Sequence, residues 1–152
     1  QVGINIACKL AASLELGTRY WCQAPERGQT LNDPERVRQW LRTELRDRDR
    51  EIFACVFLDA RHRLICYQEL FAGGLEGAEV HPRVLLQEAL RQGCAAVLLV
   101  HNHPSGAALP SRADQSLTVT LKAALALLDI RVLDHLIVTG SEAVSMAEMG
   151  LL

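Results

Sequence analysis

Residues 95–114, AAVLLVHNHPSGAALPSRAD, run from an uninterrupted apolar segment through two histidines and a turn into the start of a helix. A short apolar run such as 95–100 is typical of a strand that is covered on both faces. The Pro-Ser-Gly sequence at 104–106 turns the chain, and Ser111 is well suited to cap a helix. The stretch therefore predicts a buried strand, a loop and a helix, with polar side chains at the carboxyl end of the strand.

The rest of the chain supplies the other elements of an α/β domain. Apolar residues at helical spacing predict a helix over 5–20, and a second helix begins at Asp33-Pro34, where an N-cap acceptor precedes a proline. The remaining patterns predict a hairpin (52–59 and 64–71), a helix from His81-Pro82 to Gly93, a long helix after Ser111, a strand over 132–138 that Asp134 and His135 interrupt, and a short final strand. The order α-β-β-α-β-α-β after residue 33 predicts a mixed β-sheet flanked by helices.

The composition excludes several classes of protein. The 152 residues, of which 49% are hydrophobic and 22% charged, fit one globular domain with its own core. A formal net charge of -2 argues against nonspecific binding to nucleic acid. No apolar run reaches the roughly 18 residues of a membrane span. The five cysteines are scattered without a CxxC pair, which favours free thiols and a reducing, cytoplasmic location over disulfides.

Three segments differ in character. Residues 1–20 form the amphipathic helical segment, residues 21–33 are rich in turn formers and predict a linker, and residues 34–152 hold all the strands. The chain starts at Gln1 rather than methionine, so we expect it to be part of a longer protein.

The end of the buried strand predicts a metal site. Because strand side chains alternate in direction, His101 and His103 point the same way if the strand extends that far, and Asn102 points away. Asp114 in the first turn of the next helix can return as a third, oxygen ligand. Three protein ligands with one open position are typical of a catalytic zinc, so we expect one Zn²⁺ per chain. The alternatives stay open: many HxH pairs bind no metal, and Ser111 with Asp114 forms a helix capping box.

Hydrolysis at such a zinc also needs a general base that does not occupy the metal. The sequence near the histidines offers none, so the base must come from elsewhere, and the candidates are Glu51, Glu69, Glu76, Glu79 and Glu88. Glu51 opens the first strand of the hairpin and can be held rigidly against a neighbouring strand. It also ends a charged run, and on that ground alone it is an exposed surface carboxylate.

The spacing His101-x-His103, seven residues, Ser111, two residues, Asp114 resembles the JAMM motif of MPN metalloprotease domains. The segments HNHPSG, VHPRVLLQEAL and VLDHLIV resemble the bacterial RadC family more narrowly, from about Leu31 to the C-terminus. This resemblance implies a cytidine-deaminase-like JAB1/MPN fold with zinc held by His101, His103 and Asp114. It also implies that Glu51 is the general base and that Ser111 helps to stabilise the oxyanion.

The implied activity is hydrolysis of an amide in a peptide or protein substrate by zinc-activated water. Two other functions remain open, a DNA-repair-associated accessory protein and a non-catalytic zinc-binding scaffold. Residues 3–20 resemble the second half of the helix-hairpin-helix segment that precedes this domain in RadC proteins. Half of such a segment does not present the amides that bind phosphate, so we expect nucleic-acid binding only through an upstream segment. No membrane partner is expected, and the sequence does not predict an oligomeric state.

Overall fold

The computed structural model of the chain describes residues 3–21, 23–73 and 79–152, without the side chains of residues 19–21. Within these residues four helices and five strands follow one another as α1 (Ile4–Trp21), α2 (Pro34–Leu45), β1 (Ile52–Leu58), β2 (Leu64–Ala72), α3 (Pro82–Gln92), β3 (Ala96–Asn102), α4 (Arg112–Ala126), β4 (Arg131–Val138) and β5 (Ala143–Ser145). This order confirms the predicted α/β class. None of the described helices combines the length and the apolar character that a membrane crossing requires.

The strands form one mixed sheet in the order β2-β1-β3-β4-β5. β3 and β4 are parallel, and α4 connects them, whereas the other neighbouring strands are antiparallel. β1 lies between β2 and β3, with Phe53 opposite His101. Since β1 and β3 run in opposite directions, the start of β1 meets the carboxyl end of β3.

Helices cover both faces of the sheet. The apolar side of α2, which includes Trp40 and Leu41, packs on one face. The other face is covered by α3, through Leu85, and by α4, through Leu121 and Leu125. All seven residues of β1 are buried because the strand has a helix layer on each side.

The helix ends follow the signals in the sequence. The Asp33 side chain accepts hydrogen bonds from the backbone N–H groups of Glu35 and Arg36, and Pro34 stands in the first turn of α2. α3 ends at Gly93, which has a left-handed φ of 61° that a glycine adopts without strain. The predicted helix starts at Asp33 and Ser111 are confirmed.

The predicted interruption of the last long strand is wrong. β4 continues through Asp134 and His135 to Val138, with one register shift against β3 just before Asp134, although a polar pair inside a strand usually needs partners. Both residues have them. Asp134 accepts hydrogen bonds from the Ser145 hydroxyl (2.5 Å) and from the backbone N–H of Ala147 (3.0 Å), and both ring nitrogens of His135 lie within hydrogen-bonding distance of side chains.

Candidate metal centre

The two histidines of the motif converge at the carboxyl end of β3. His101 is the penultimate residue of the strand, and His103 follows immediately after it. Their Nε2 atoms are 2.7 Å apart, so both side chains lie on the same side of the chain, as the alternation predicts. His101 is 2% exposed, while His103 is partly open to solvent.

A tight turn sets the orientation of His103. Gly106 has a φ of 82°, and its backbone N–H donates to the His103 carbonyl (3.0 Å), which brings the chain back on itself. The Ala107 carbonyl oxygen then lies 2.6 Å from Nδ1 of His103. Because a carbonyl only accepts, Nδ1 carries the hydrogen, and Nε2 of the neutral ring presents a lone pair.

Asp114 reaches the histidines from the first turn of α4. Its Oδ1 lies 3.2 Å from Nε2 of His101, and its Oδ2 lies 3.5 Å from Nε2 of His103. The carboxylate also completes the capping box, since Oδ2 accepts the backbone N–H of Ser111 at 2.6 Å. Capping and contact with the histidines are therefore compatible.

The electrostatics of Asp114 favour its charged form. Burial alone would raise the pKa of this carboxyl. The hydrogen bonds from His101 and Ser111 outweigh burial and hold the pKa well below its usual range. Asp114 is therefore a carboxylate at neutral pH, the form that binds cations.

Glu51 is the candidate base that lies at this site. Its carboxylate forms a group with His101 and His103 in which the ligand atoms all lie within 4.8 Å of one another. Two other candidates are engaged elsewhere, because Glu69 pairs with Arg48 (2.6 Å) and Glu88 pairs with Arg91. The remaining two are Glu79, which is exposed, and Glu76, which lies outside the described residues.

Ser111 lies at the N-terminus of α4, next to the site. Its hydroxyl oxygen accepts the backbone N–H of Asp114 at 3.1 Å. The hydroxyl hydrogen is left to donate elsewhere, as oxyanion stabilisation requires. That role of Ser111, like the metal-binding roles of His101, His103 and Asp114, stays a prediction.

The sequence analysis missed a second layer of residues behind the site. Asn102 holds the backbone on both sides of Glu51: its Oδ1 accepts the N–H of Ile52 (2.6 Å), and its Nδ2 donates to the carbonyl of Arg50 (2.9 Å). His135 stands behind His101, where burial lowers its pKa to about 3 and keeps the ring neutral. A polar side chain inside an apolar strand was the signal that could have identified His135, since buried polar groups need partners.

The donor set suits zinc. Two imidazole nitrogens and one carboxylate oxygen are common zinc ligands, and the hydrogen bond of His103 turns its Nε2 lone pair towards Nε2 of His101. The lone pair of His103 and the carboxylate of Asp114 both face Nε2 of His101, an arrangement that needs a proton or a cation between these atoms. Glu51 could serve either as a fourth ligand, which would close the site, or as a base beside an open site.

Comparison with known proteins by sequence places most of the chain in one family. Residues 31–151 match the family described as the RadC-like JAB domain. A UPF0758 protein of Nitrosococcus oceani is 51% identical over 151 residues, which cover 99% of this chain and 67% of that protein. A UPF0758 protein of Thioalkalivibrio sulfidiphilus is 51% identical over 144 residues, covering 95% of this chain and 64% of that protein. The chain thus spans about two thirds of the length of these curated relatives. From the extent of the match, the chain belongs to the RadC-like JAB domain family.

Proposed function

We propose that this domain is a zinc-dependent hydrolase of the JAMM type, which cleaves an amide bond in a peptide or protein substrate. The observation that carries the proposal is that two carboxylates reach the histidine pair: Asp114 lies within 3.5 Å of both Nε2 atoms, and Glu51 forms a separate close group with the same two histidines. A purely structural zinc site needs four ligands and no base. A separate carboxylate beside three ligands is what hydrolysis requires.

The residues have distinct roles in this proposal. His101, His103 and Asp114 hold the zinc, which when bound polarises the substrate carbonyl and makes water acidic enough to ionise near neutral pH. Glu51 accepts the proton of the attacking water and delivers it to the leaving amine. The Ser111 hydroxyl donates a hydrogen bond to the oxyanion. Asn102 keeps Glu51 in place through the backbone.

The Glu51→Gln variant tests the proposal. We expect the protein and its variant to bind about one zinc per chain, measured by atomic emission after reconstitution. Turnover of a fluorescence-quenched peptide library should fall by about 100-fold or more in the variant, because general base catalysis is lost. Glu79→Gln is the matched control, since Glu79 is an exposed carboxylate, and it should keep full turnover.

The same variant separates a hydrolase from a zinc-binding scaffold. If Glu51 were a fourth ligand, Glu51→Gln would weaken zinc binding, and the site would be closed and inactive. Unchanged peptide cleavage by Glu51→Gln would exclude Glu51 as the base. A wild-type protein that holds no zinc after reconstitution would contradict the proposal as a whole.

We also propose that the protein works in the cytoplasm. The described cysteines, Cys8, Cys55, Cys66 and Cys94, are all free thiols, which suits a reducing compartment. We propose that this domain does not itself bind nucleic acid, and that any such binding comes from a segment upstream of it.

A further inference from the structure

Behind the candidate metal centre, four residues form a closed ring of contacts. Nδ1 of His101 lies 2.9 Å from Nε2 of His135, and Nδ1 of His135 lies 2.6 Å from Oγ1 of Thr118. The Thr118 hydroxyl lies 2.6 Å from the backbone carbonyl oxygen of Asp114, whose own Oδ1 returns to Nε2 of His101 at 3.2 Å. The ring therefore links two of the predicted zinc ligands, one on β3 and one on α4, through a residue of β4.

The direction of each hydrogen bond in the ring follows from the backbone carbonyl of Asp114. The Asp114 carbonyl can only accept, so the Thr118 hydroxyl donates to it. The Thr118 oxygen then accepts from Nδ1–H of His135, and the neutral ring of His135 is left with a lone pair on Nε2. This lone pair accepts Nδ1–H of His101. Nδ1 of His101 is thus engaged with His135, and Nε2, which faces Asp114, is the nitrogen left to bind a metal.

Packing fixes the positions of the His101 and His135 rings. His135 is 0% exposed and Thr118 is 1% exposed, so water does not compete for their hydrogen bonds. The Phe53 ring stacks on His101 with centroids 6.3 Å apart and an interplanar angle of 14°. It also meets His135 edge-on at 5.7 Å. The orientation of His101 is thus set by an apolar contact on one side and a hydrogen bond on another.

We propose that His135 and Thr118 are positioning residues for the metal centre: through their hydrogen bonds they fix the tautomer and orientation of His101 and tie it to the helix that supplies Asp114. This inference rests on the zinc site of the proposed function and not on turnover. His135 is not itself placed as a ligand, because both of its ring nitrogens are engaged with His101 and Thr118. Residues of this kind behind a zinc ligand commonly change metal affinity by about 10- to 100-fold.

The affinity of the full chain for zinc tests the inference without any substrate. The metal-free protein and its variants would be titrated with Zn²⁺ against a chelator of known affinity at neutral pH. We expect His135→Leu and Thr118→Val to weaken zinc binding by about 10-fold or more. His135→Gln should recover most of the affinity, because its side-chain oxygen can accept Nδ1–H of His101. Thr118→Val is nearly isosteric, so it keeps the test valid if His135→Leu fails to fold.

Thr120→Val is the matched control. Thr120 lies on the same helix, and its hydroxyl donates to the carbonyl of Ser116 four residues earlier, as that of Thr118 does to Asp114, but it is exposed and away from the histidines. This variant should bind zinc like the wild type. The visible spectrum of the Co²⁺-loaded protein gives an independent readout, and it should change in Thr118→Val but not in Thr120→Val.

The outcomes separate this inference from the proposed function. Folded His135→Leu and Thr118→Val variants with wild-type zinc affinity and an unchanged Co²⁺ spectrum would overturn the positioning role and leave only a structural one. Equal losses in His135→Leu and His135→Gln would also overturn it, since the proposed hydrogen bond would then not matter. A wild-type protein that binds no zinc would contradict both proposals, whereas a zinc-binding but inactive wild type would contradict only the proposed hydrolase.

Discussion

At the scale of single residues, Asn102 stands between the two histidines in the sequence and holds the backbone around Glu51. The alternation of β3 predicts that its side chain points away from the two histidines, and this is confirmed. What the side chain contacts depends on the antiparallel register of β1 and β3, which the sequence does not reveal. By accepting from Ile52 and donating to Arg50, Asn102 extends the contact between β3 and β1 beyond the last register pair, Phe53 and His101, and holds the backbone on both sides of Glu51.

Asn102→Asp should therefore impair turnover more than metal binding. The variant keeps an acceptor for the N–H of Ile52 but turns an oxygen towards the Arg50 carbonyl. A displacement of Glu51 by about 1 Å is enough to lower kcat by about 100-fold, whereas zinc affinity should change little because no ligand is touched. Steady-state kinetics and chelator competition measure the two effects, with Asn32→Asp at an exposed position as the control. Parallel losses of zinc affinity and turnover would show that Asn102 supports the metal and not the base.

At the scale of elements, the start of β1, the end of β3 and the start of α4 lie at one place. α4 begins where β3 ends because it starts the crossover to the parallel strand β4, and β1 begins there because it runs against β3. The sequence predicted the elements and the caps at Asp33 and Ser111, since these depend on local patterns. It did not predict the pairing of β4 with β3, so the contact between His135 and His101, which depends on that pairing, could not be foreseen.

A substitution of Ser111 at the start of α4 tests its capping role and its proposed catalytic role separately. Ser111→Ala removes the acceptor for the N–H of Asp114 but keeps the backbone N–H that binds Oδ2. We expect the free energy of unfolding to fall by about 1 kcal/mol, as for other lost N-caps, while zinc affinity is nearly retained. Turnover should fall by more than the loss of folded protein accounts for, because the hydroxyl that would stabilise the oxyanion is gone. Urea unfolding and kinetics measure these effects, and Ser116→Ala on the exposed side of α4 should change neither.

At the scale of the whole molecule, α1 differs from the layered domain. Its apolar residues, which helical spacing predicts to lie together, are largely exposed: Leu14 is 73% exposed and Leu10 is 57% exposed. Leu121 of α4, by contrast, is 0% exposed and lies in the core between the helices and the sheet. Helical spacing alone did not distinguish these cases, because it shows that residues share a face but not what covers that face. We therefore expect the free energy of unfolding to depend on the layered domain formed by the elements from α2 to β5, and hardly on α1.

A pair of identical truncations tests this difference. Leu121→Ala should lower the free energy of unfolding by about 2–5 kcal/mol, because it opens a cavity in the core. Leu10→Ala should change it by less than about 0.5 kcal/mol, since the side chain is already largely in water and alanine favours the helix. Equilibrium unfolding in urea at two protein concentrations gives both values. A loss above about 1 kcal/mol for Leu10→Ala that grows with protein concentration would mean that a second copy covers the apolar face of α1 in solution.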